Sequence, residues 1–299
     1  MLSPKLLDRF LIAPGERVRL DELPTTYKGF DELNDLRKDV LKERADKLLQ
    51  KSIDELASAQ ELLWASDDHA VLVVLQAMDA AGKDGIIKHV MSGVNPRSCE
   101  VVSFKRPSEE EVDHTFLWRA AKRTPERGRI GIFNRSHYED VLVVRVHPEL
   151  LEKTKLPPGI RGRKFWEARF EDINSFERHL HRNGTVIRKF FLHVSNEEQK
   201  RRFLERLGDP EKLWKFSLGD LAERSYWDDY MKAYEEAIEA TSTEWAPWYV
   251  VPADEKWASR AIIAHVLTST IRSLGLQYPK VSEEERARYE EARRKLLKE

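Results

Sequence analysis

Cys99 is the only cysteine in the chain. That excludes an intrachain disulfide, and with it any fold that depends on cross-links for stability. Followed by Glu100 and Val101, Cys99 reads as a small core residue and not as a nucleophile. No Cys/His cluster has the spacing of a zinc site. Long hydrophobic runs are also missing. The most apolar segment, VLVVLQAM at 71–78, is far shorter than the ~20 residues a membrane helix needs. Lys5, Asp8 and Arg9 interrupt the apolar start, which therefore does not read as a signal peptide. The expectation is a cytoplasmic protein without a membrane partner. An excess of one charge is absent too: 51 Lys+Arg against 52 Asp+Glu leave a formal net charge of −1. No global field attracts polyanions, so any basic site has to be local. Internal repeats and low-complexity tracts are absent.

What is present is a globular composition. The chain has 299 residues, 41% of them apolar, enough to bury a sizeable core. Charged residues reach 34%, against about 25% in an average protein, and the excess belongs on exposed helical faces. Residues 1–36, with Pro4, Pro14 and Pro24, read as an extension packed over the body or partly mobile. Over 37–65, Leu41, Leu48, Leu49, Leu56 and Leu63 form a stripe near helical spacing. VLVVLQ at 71–76 is continuous and β-branched, the pattern of a strand buried on both faces. Further strands are expected at 99–104, 129–134, 185–195 and 247–253. Helical patterns lie between them, at about 108–123, 164–182, 197–206, 226–241 and 255–274. Ser195 and Glu198 have capping-box spacing at one helix start. This alternation predicts a parallel sheet covered on both faces. The tail, 281–299, reads as a solvated helix with oppositely charged pairs.

Three segments carry chemistry. The first, Ala77-Met78-Asp79-Ala80-Ala81-Gly82-Lys83-Asp84-Gly85, follows the best strand and opens a helix, as a phosphate-binding loop does. Gly82 and Gly85 let the backbone approach an anion, and amides at the helix start point at it. Lys83 is placed to contact the transferred phosphate. The match to G-x-x-x-x-G-K-[ST] is partial, with Ala77 and Asp84 at two of the fixed positions. Asp79 beside phosphates calls for a bridging cation, and Mg²⁺ is the cation that binds through few carboxylates and substrate phosphates. The alternative is that Asp79 caps the turn. The second segment is IFNRSHYED at 132–140. Asn134 and Arg135 emerge at the carboxyl edge of the sheet, where open α/β folds bind ligands. Arg135 suits a two-donor grip on phosphate. Glu139 and Asp140 suit a metal or a ribose, and His137 reads as a structural histidine before a base. The third is QKRRFLERLGDPEKLWKFS at 199–217. Arg201, Arg202, Arg206, Lys212 and Lys215 cluster about a Gly208-Asp209-Pro210 break. They read either as a lid that closes over phosphates or as a solvated charged face. Trp214 reads as a lid anchor, a stacking platform or a core residue.

Together these segments, with FKRPSEEE at 104–111, FFLHVSNEEQKRRF at 190–203, DPEKLWKFSLGDL at 209–221 and TSTEWAPWYVVPADEKW at 241–257, resemble the polyphosphate kinase 2 family over residues 60–275. The resemblance implies a P-loop kinase-like three-layer α/β/α sandwich, here expected with a five-stranded parallel sheet and a helical lid at about 199–225 within a domain of residues 37–280. It implies phosphoryl transfer between inorganic polyphosphate and nucleotides with Mg²⁺, Mn²⁺ being an alternative ion. On this resemblance Asp79 is the loop aspartate that organises metal, Lys83 the phosphate-binding lysine and Arg135 the arginine of the second motif. Ala81, Gly82, Asp84, Gly85, Lys88, Arg201, Arg202, Arg206, Lys212 and Lys215 are candidate phosphate contacts. Asn134, Ser136, Tyr138, Glu139 and Asp140 are candidate nucleotide contacts. Many members carry Asp at the position of Asn134, so no metal role is carried to it. The FNRSHYED form is similar to the class III subgroup, which accepts AMP and ADP. Guanine nucleotides are further candidate acceptors, and a dimer or tetramer is expected. Two other readings stand beside this one: an ATP-dependent nucleoside monophosphate kinase, and a nucleotide-gated or nucleic-acid-binding module. The second requires a basic stripe with interleaved aromatics, and the chain has one dense basic cluster.

Overall fold

Every residue of Ala70–Gln76 (β2) is buried, and this strand lies at the centre of the sheet. The structure, a computed structural model, describes residues 9–27, 38–157, 159–162 and 164–299; the side chains of Lys38 and Leu41 also lie outside the described set. The sheet order is β1-β6-β5-β2-β4-β3, with β1 Leu11–Ile12, β3 Cys99–Ser103, β4 Ile130–Asn134, β5 Thr185–His193 and β6 Trp248–Pro252. Strands β2 to β6 run parallel. Hydrophobic side chains on both faces of β2 meet helices from both sides, which is why its apolar run is unbroken.

The sheet has six strands and not five. The sixth, β1, comes from the N-terminal extension and pairs antiparallel with β6, Leu11 opposite Tyr249 and Ile12 opposite Trp248. Phe10, Ile12, Val18 and Leu20 are buried, so residues 9–27 cover an edge that would otherwise expose unpaired backbone. The rest of the extension lies outside the described residues.

Lys38–Ser66 (α1), Lys83–Val90 (α2) and Lys256–Ser273 (α6) pack together on one side of the sheet, while Phe165–Arg182 (α3) and Trp227–Thr241 (α5) pack on the other. Leu56 and Leu63 of the α1 stripe are fully buried, and Leu49 packs against the core from a partly buried position. Asn196–Leu207 (α4) follows β5. Ser195 caps it by accepting from the Glu198 N–H at 3.1 Å, although the Glu198 carboxylate turns to Arg201 and Arg202. Between 208 and 226 only short turns form, at Leu213–Lys215, Leu218–Glu223 and Arg224–Tyr226. Glu283–Leu296 (α7) is capped by Ser282 and Glu285 and is exposed throughout.

The helix expected at 108–123 is two separate turns, Glu109–Val112 and Trp118–Ala121. Between them His114 stacks on Trp118 at 3.9 Å, and Arg119 turns inward to the Lys105 carbonyl at 2.8 Å. Tertiary contacts of Arg119 outweigh a continuous helical pattern.

After β2 the chain crosses to β3 and β4 on one side, then to β5 and β6 on the other. The loop leaving β2 therefore sits at the topological switch point, the place where α/β sheets bind ligands.

Candidate active site

The loop after β2 turns through two left-handed residues, Ala80 at φ +60° and Gly82 at φ +119°. Gly82 takes this backbone without a Cβ penalty, whereas Ala80 costs roughly 1–2 kcal/mol. The Lys83 side chain folds back onto the loop, donating to the Ala77 carbonyl at 2.7 Å. Burial pushes its ammonium down to about 8, Arg135 acts the same way, and Asp79, Glu139 and Asp84 oppose them. At Gly85 a Cβ would lie 3.4 Å from Arg260 Nη2, an ordinary contact distance, which places the Arg260 guanidinium beside the loop.

The loop after β4 crosses to meet it. Arg135 has φ +60°, and its N–H donates to the Leu75 carbonyl at 3.0 Å. Its Nη2 donates to Asp79 Oδ1 at 2.6 Å and its Nη1 to Glu139 Oε2 at 3.0 Å. Burial opposes the Arg135 charge, but Glu139 and Asp79 outweigh it and raise its pKa. Asn134 Nδ2 donates to Asp84 Oδ1 at 3.1 Å. Both residues of the Asn-Arg pair are thus tied to the first loop.

Two cavities meet at Arg135. The first, about 490 Å³, lies on the β2 loop and is lined by Lys83, Arg135, Arg202, Arg206, Lys212, Lys215, Lys256 and Arg260, against Asp79, Asp84, Glu205 and Asp220. Eight basic and four acidic side chains concentrate positive charge there, in a chain of net charge −1. Burial and Arg202 lower the pKa of Lys256. Burial also lowers that of Arg260, Asp46 opposing and Arg202 assisting. An anion among these cations relieves their repulsion. Burial, followed by Asp79, raises the Asp220 carboxyl, while Arg206, Arg135 and Lys83 pull it back. The second cavity, about 1070 Å³, lies across Arg135. Phe104, Pro107, Val112, Val143, Val144 and Leu150 give it apolar walls, and Lys105, Arg106, Lys153 and Lys155 rim it, with Glu139 and Asp140 on its inner side.

The expected site residues divide accordingly. Asp79, Ala81, Gly82, Lys83, Asp84, Gly85, Asn134, Arg135, Arg202, Arg206, Lys212 and Lys215 line the first cavity. Trp214 does too, 79% exposed, with Lys215 Nζ 4.9 Å from its ring centre; it is not a core residue. Lys88 and Arg201 are exposed and line neither cavity, and Arg201 is held by Glu198 at 2.6 Å. Ser136 and Tyr138 are fully buried. The Ser136 hydroxyl accepts from Gln76 at 3.1 Å, and the Tyr138 hydroxyl donates to Glu177 at 2.9 Å. They brace the second loop from the core and do not face a ligand. Asp140 is buried between Arg119 and Arg169. His137 is fully buried, Nε2 3.4 Å from Glu177 Oε1, and so is structural. Arg202 is not a solvent-facing lid arginine; it is 3% exposed and bonded to backbone carbonyls.

Ile86, Glu205, Asp220, Lys256, Ser259 and Arg260 also line the first cavity and escaped the sequence reading. Asp220 lies inside a quoted motif, but nothing marked it among the other carboxylates. Lys256 and Arg260 are i,i+4 on α6, a spacing that also describes an ordinary exposed face.

Asp79, Asp84 and Asp220 are the candidate metal-holding carboxylates. Among the described residues no three His, Cys, Asp or Glu side chains converge on one point. That donor set fits Mg²⁺, which is held by one or two carboxylates and completed by phosphate oxygens and water. No described helix is long and apolar enough to cross a membrane.

The family model of polyphosphate kinase 2 matches residues 39–278. An ADP-polyphosphate phosphotransferase of Rhodopseudomonas palustris is 50% identical over 291 residues, 97% of this chain and 98% of the relative. An AMP/ADP-polyphosphate phosphotransferase of Meiothermus ruber is 51% identical over 224 residues, 75% of this chain and 80% of the relative. The crystal structure of polyphosphate kinase 2 from Arthrobacter aurescens TC1 superposes with a TM-score of 0.76 at 40% identity, covering 94% of this chain and all of that one. With the loop, the Asn-Arg pair and the parallel sheet in place, the chain belongs to the polyphosphate kinase 2 family.

Proposed function

We propose that the protein transfers phosphoryl groups from inorganic polyphosphate to AMP and ADP, forming ADP and ATP, with Mg²⁺. One observation carries this reading: Arg135 stands between a basic cavity on the anion-binding loop and a larger, apolar-walled cavity. The basic cavity suits the polyanionic donor, and the apolar one suits a nucleoside. Arg135 and Lys83 then hold the phosphoryl group between them, positioning it and balancing its charge.

An acceptor phosphate oxygen attacks the terminal phosphorus. The bond to the bridging oxygen breaks, and the polyphosphate leaves one unit shorter. The attacking oxygen is already anionic, so no general base is needed, in keeping with the buried position of His137. Asp79, Asp84 and Asp220 are the carboxylates that would hold Mg²⁺, which would neutralise phosphate oxygens. Arg206, Lys212 and Lys215 close over the donor from the lid.

Purified protein with AMP or ADP, long-chain polyphosphate and Mg²⁺, its nucleotides resolved by chromatography, tests this. ADP and ATP are expected. Phosphorylation of AMP by ATP but not by polyphosphate would establish the monophosphate kinase reading instead.

A further inference from the structure

The anion-binding loop is gripped from outside. Gln199 and Arg202 lie one turn apart on α4, 1% and 3% exposed. Gln199 Nε2 donates to the Asp79 carbonyl at 2.9 Å. Arg202 Nη1 donates to the Ala80 and Ala81 carbonyls at 3.0 and 2.6 Å. Its Nη2 donates to the Ala253 and Asp254 carbonyls at 2.6 and 3.0 Å, and its Nε to Glu198 at 2.7 Å. A guanidinium has five N–H donors. All five are engaged, leaving none for a phosphate.

Three successive carbonyls of the loop, those of Asp79, Ala80 and Ala81, therefore face α4. A trans peptide sets its N–H opposite its C=O, so the N–H groups of Ala80, Ala81 and Gly82 point away from that helix. Ala81 closes a turn onto the Met78 carbonyl at 3.3 Å. Among the described residues no backbone carbonyl takes the Ala80 or Gly82 N–H. Ala80 and Gly82 are also the two left-handed residues of the loop, a conformation that persists when its surroundings enforce it.

From this geometry we infer that Gln199 and Arg202 are positioning residues: they hold the loop carbonyls so that the Ala80 and Gly82 amides are presented to the transferred phosphate. The inference rests on the phosphoryl-transfer reading, and it removes Arg202 from the phosphate ligands. The same helix carries Arg206 one turn later and leads into the lid, so loop and lid share one support.

Gln199→Leu, Arg202→Lys and Arg202→Met, each first shown to be folded by circular dichroism at the assay temperature, test it. Kinetics with AMP, ADP and polyphosphate are joined to calorimetric binding of inorganic tripolyphosphate at two salt concentrations. Gln199→Leu removes the donor to the Asp79 carbonyl and the acceptor of Arg224 Nη1, 2.7 Å away, and no charge. It is expected to lower kcat about 10- to 100-fold, the scale on which a misplaced loop acts, with KM for AMP and ADP unchanged. Tripolyphosphate binding should weaken by the same factor at both salts. Arg202→Lys should be as impaired as Arg202→Met, because one ammonium cannot span two loops. Wild-type kcat and tripolyphosphate affinity in Gln199→Leu, with only its melting temperature lowered, would overturn the proposal. So would an Arg202→Lys enzyme that keeps kcat and raises only KM for polyphosphate, the behaviour of a ligand. If the Arg202 variants do not fold, Gln199→Leu decides alone. If the wild type turns over neither nucleotide with polyphosphate, the functional reading fails, and the tripolyphosphate measurement still decides the positioning role.

Discussion

Arg135 Nη2 lies 2.6 Å from Asp79 Oδ1, and this ion pair joins the loop after β4 to the loop after β2 where the two cavities meet. Asp79→Asn removes both the partner of Arg135 and a candidate metal-holding charge. A fall in kcat of about 10²-fold or more is expected, the scale of losing one key electrostatic group. Chelation should abolish wild-type activity, and Mg²⁺ should restore it. Near-wild-type turnover in Asp79→Asn would leave Asp79 as a turn cap.

Lys83 predicts the pH profile. Its pKa is lowered from 10.5 to about 8, so the ammonium is charged below that pH and neutral above it. A neutral amine cannot balance phosphate charge, and kcat/KM reports the free enzyme. It should therefore decline as pH rises through about 8. Lys83→Arg keeps its charge throughout this range, so whatever activity it retains should lack this alkaline limb. A limb of unchanged position in Lys83→Arg would assign it to another group.

The sheet was legible in the sequence because buried parallel strands read as unbroken apolar runs. The loop at 77–85 was legible because its glycines and lysine directly follow the clearest of those runs. β1 was not, because two residues carry no periodicity and Leu11–Ile12 becomes a strand only through β6. Arg202 was legible as a charge and illegible as a buried brace. Its neighbours Arg201 and Arg206 share its composition, and only the packing of α4 against the loop separates them. Tyr138 and Ser136 were illegible in the same way: they sit in a functional motif but support it from the core.

Beneath the second loop, Lys189 and Glu177 form a fully buried pair at 2.5 Å. Lys189 also donates to the Tyr138 hydroxyl and the Thr241 carbonyl, at 2.8 and 2.7 Å. Removing one member leaves the other charge unpaired in the core. Glu177→Gln or Lys189→Met should each destabilise the fold by about 3–5 kcal/mol, and the double change Glu177→Leu with Lys189→Met by less than either single change. Urea unfolding measures this. Single-variant losses below about 1 kcal/mol, the range of surface pairs, would show that the pair does not act as a buried unit.

Arg206 and Arg201 separate a lid that acts on the donor from a solvated charged face. Arg206 lines the first cavity. Its Nη1 donates to the Lys215 carbonyl at 3.1 Å and lies 3.8 Å from Asp220 Oδ2. It thus holds the lid turn with one nitrogen while retaining donors for a phosphate. Arg201 is 60% exposed and lies between Glu198 and Glu205, outside the cavity. A guanidinium that meets charge in a site closed to water counts for far more than one on the surface. Arg206→Ala should lower kcat by roughly 10²-fold, as loss of one transition-state donor does. Arg206→Lys should recover part of it, because charge is kept and the planar fork is lost. Arg201→Ala should behave like Arg293→Ala on the exposed C-terminal helix, with turnover near wild type. Rates with ADP and polyphosphate, beside melting temperatures for the four variants, make the comparison. Three equally active alanine variants would return the whole 199–217 cluster to the status of a solvated face. A loss confined to Arg206 would identify the lid by the arginine that lines the basic cavity without being buried under the loop.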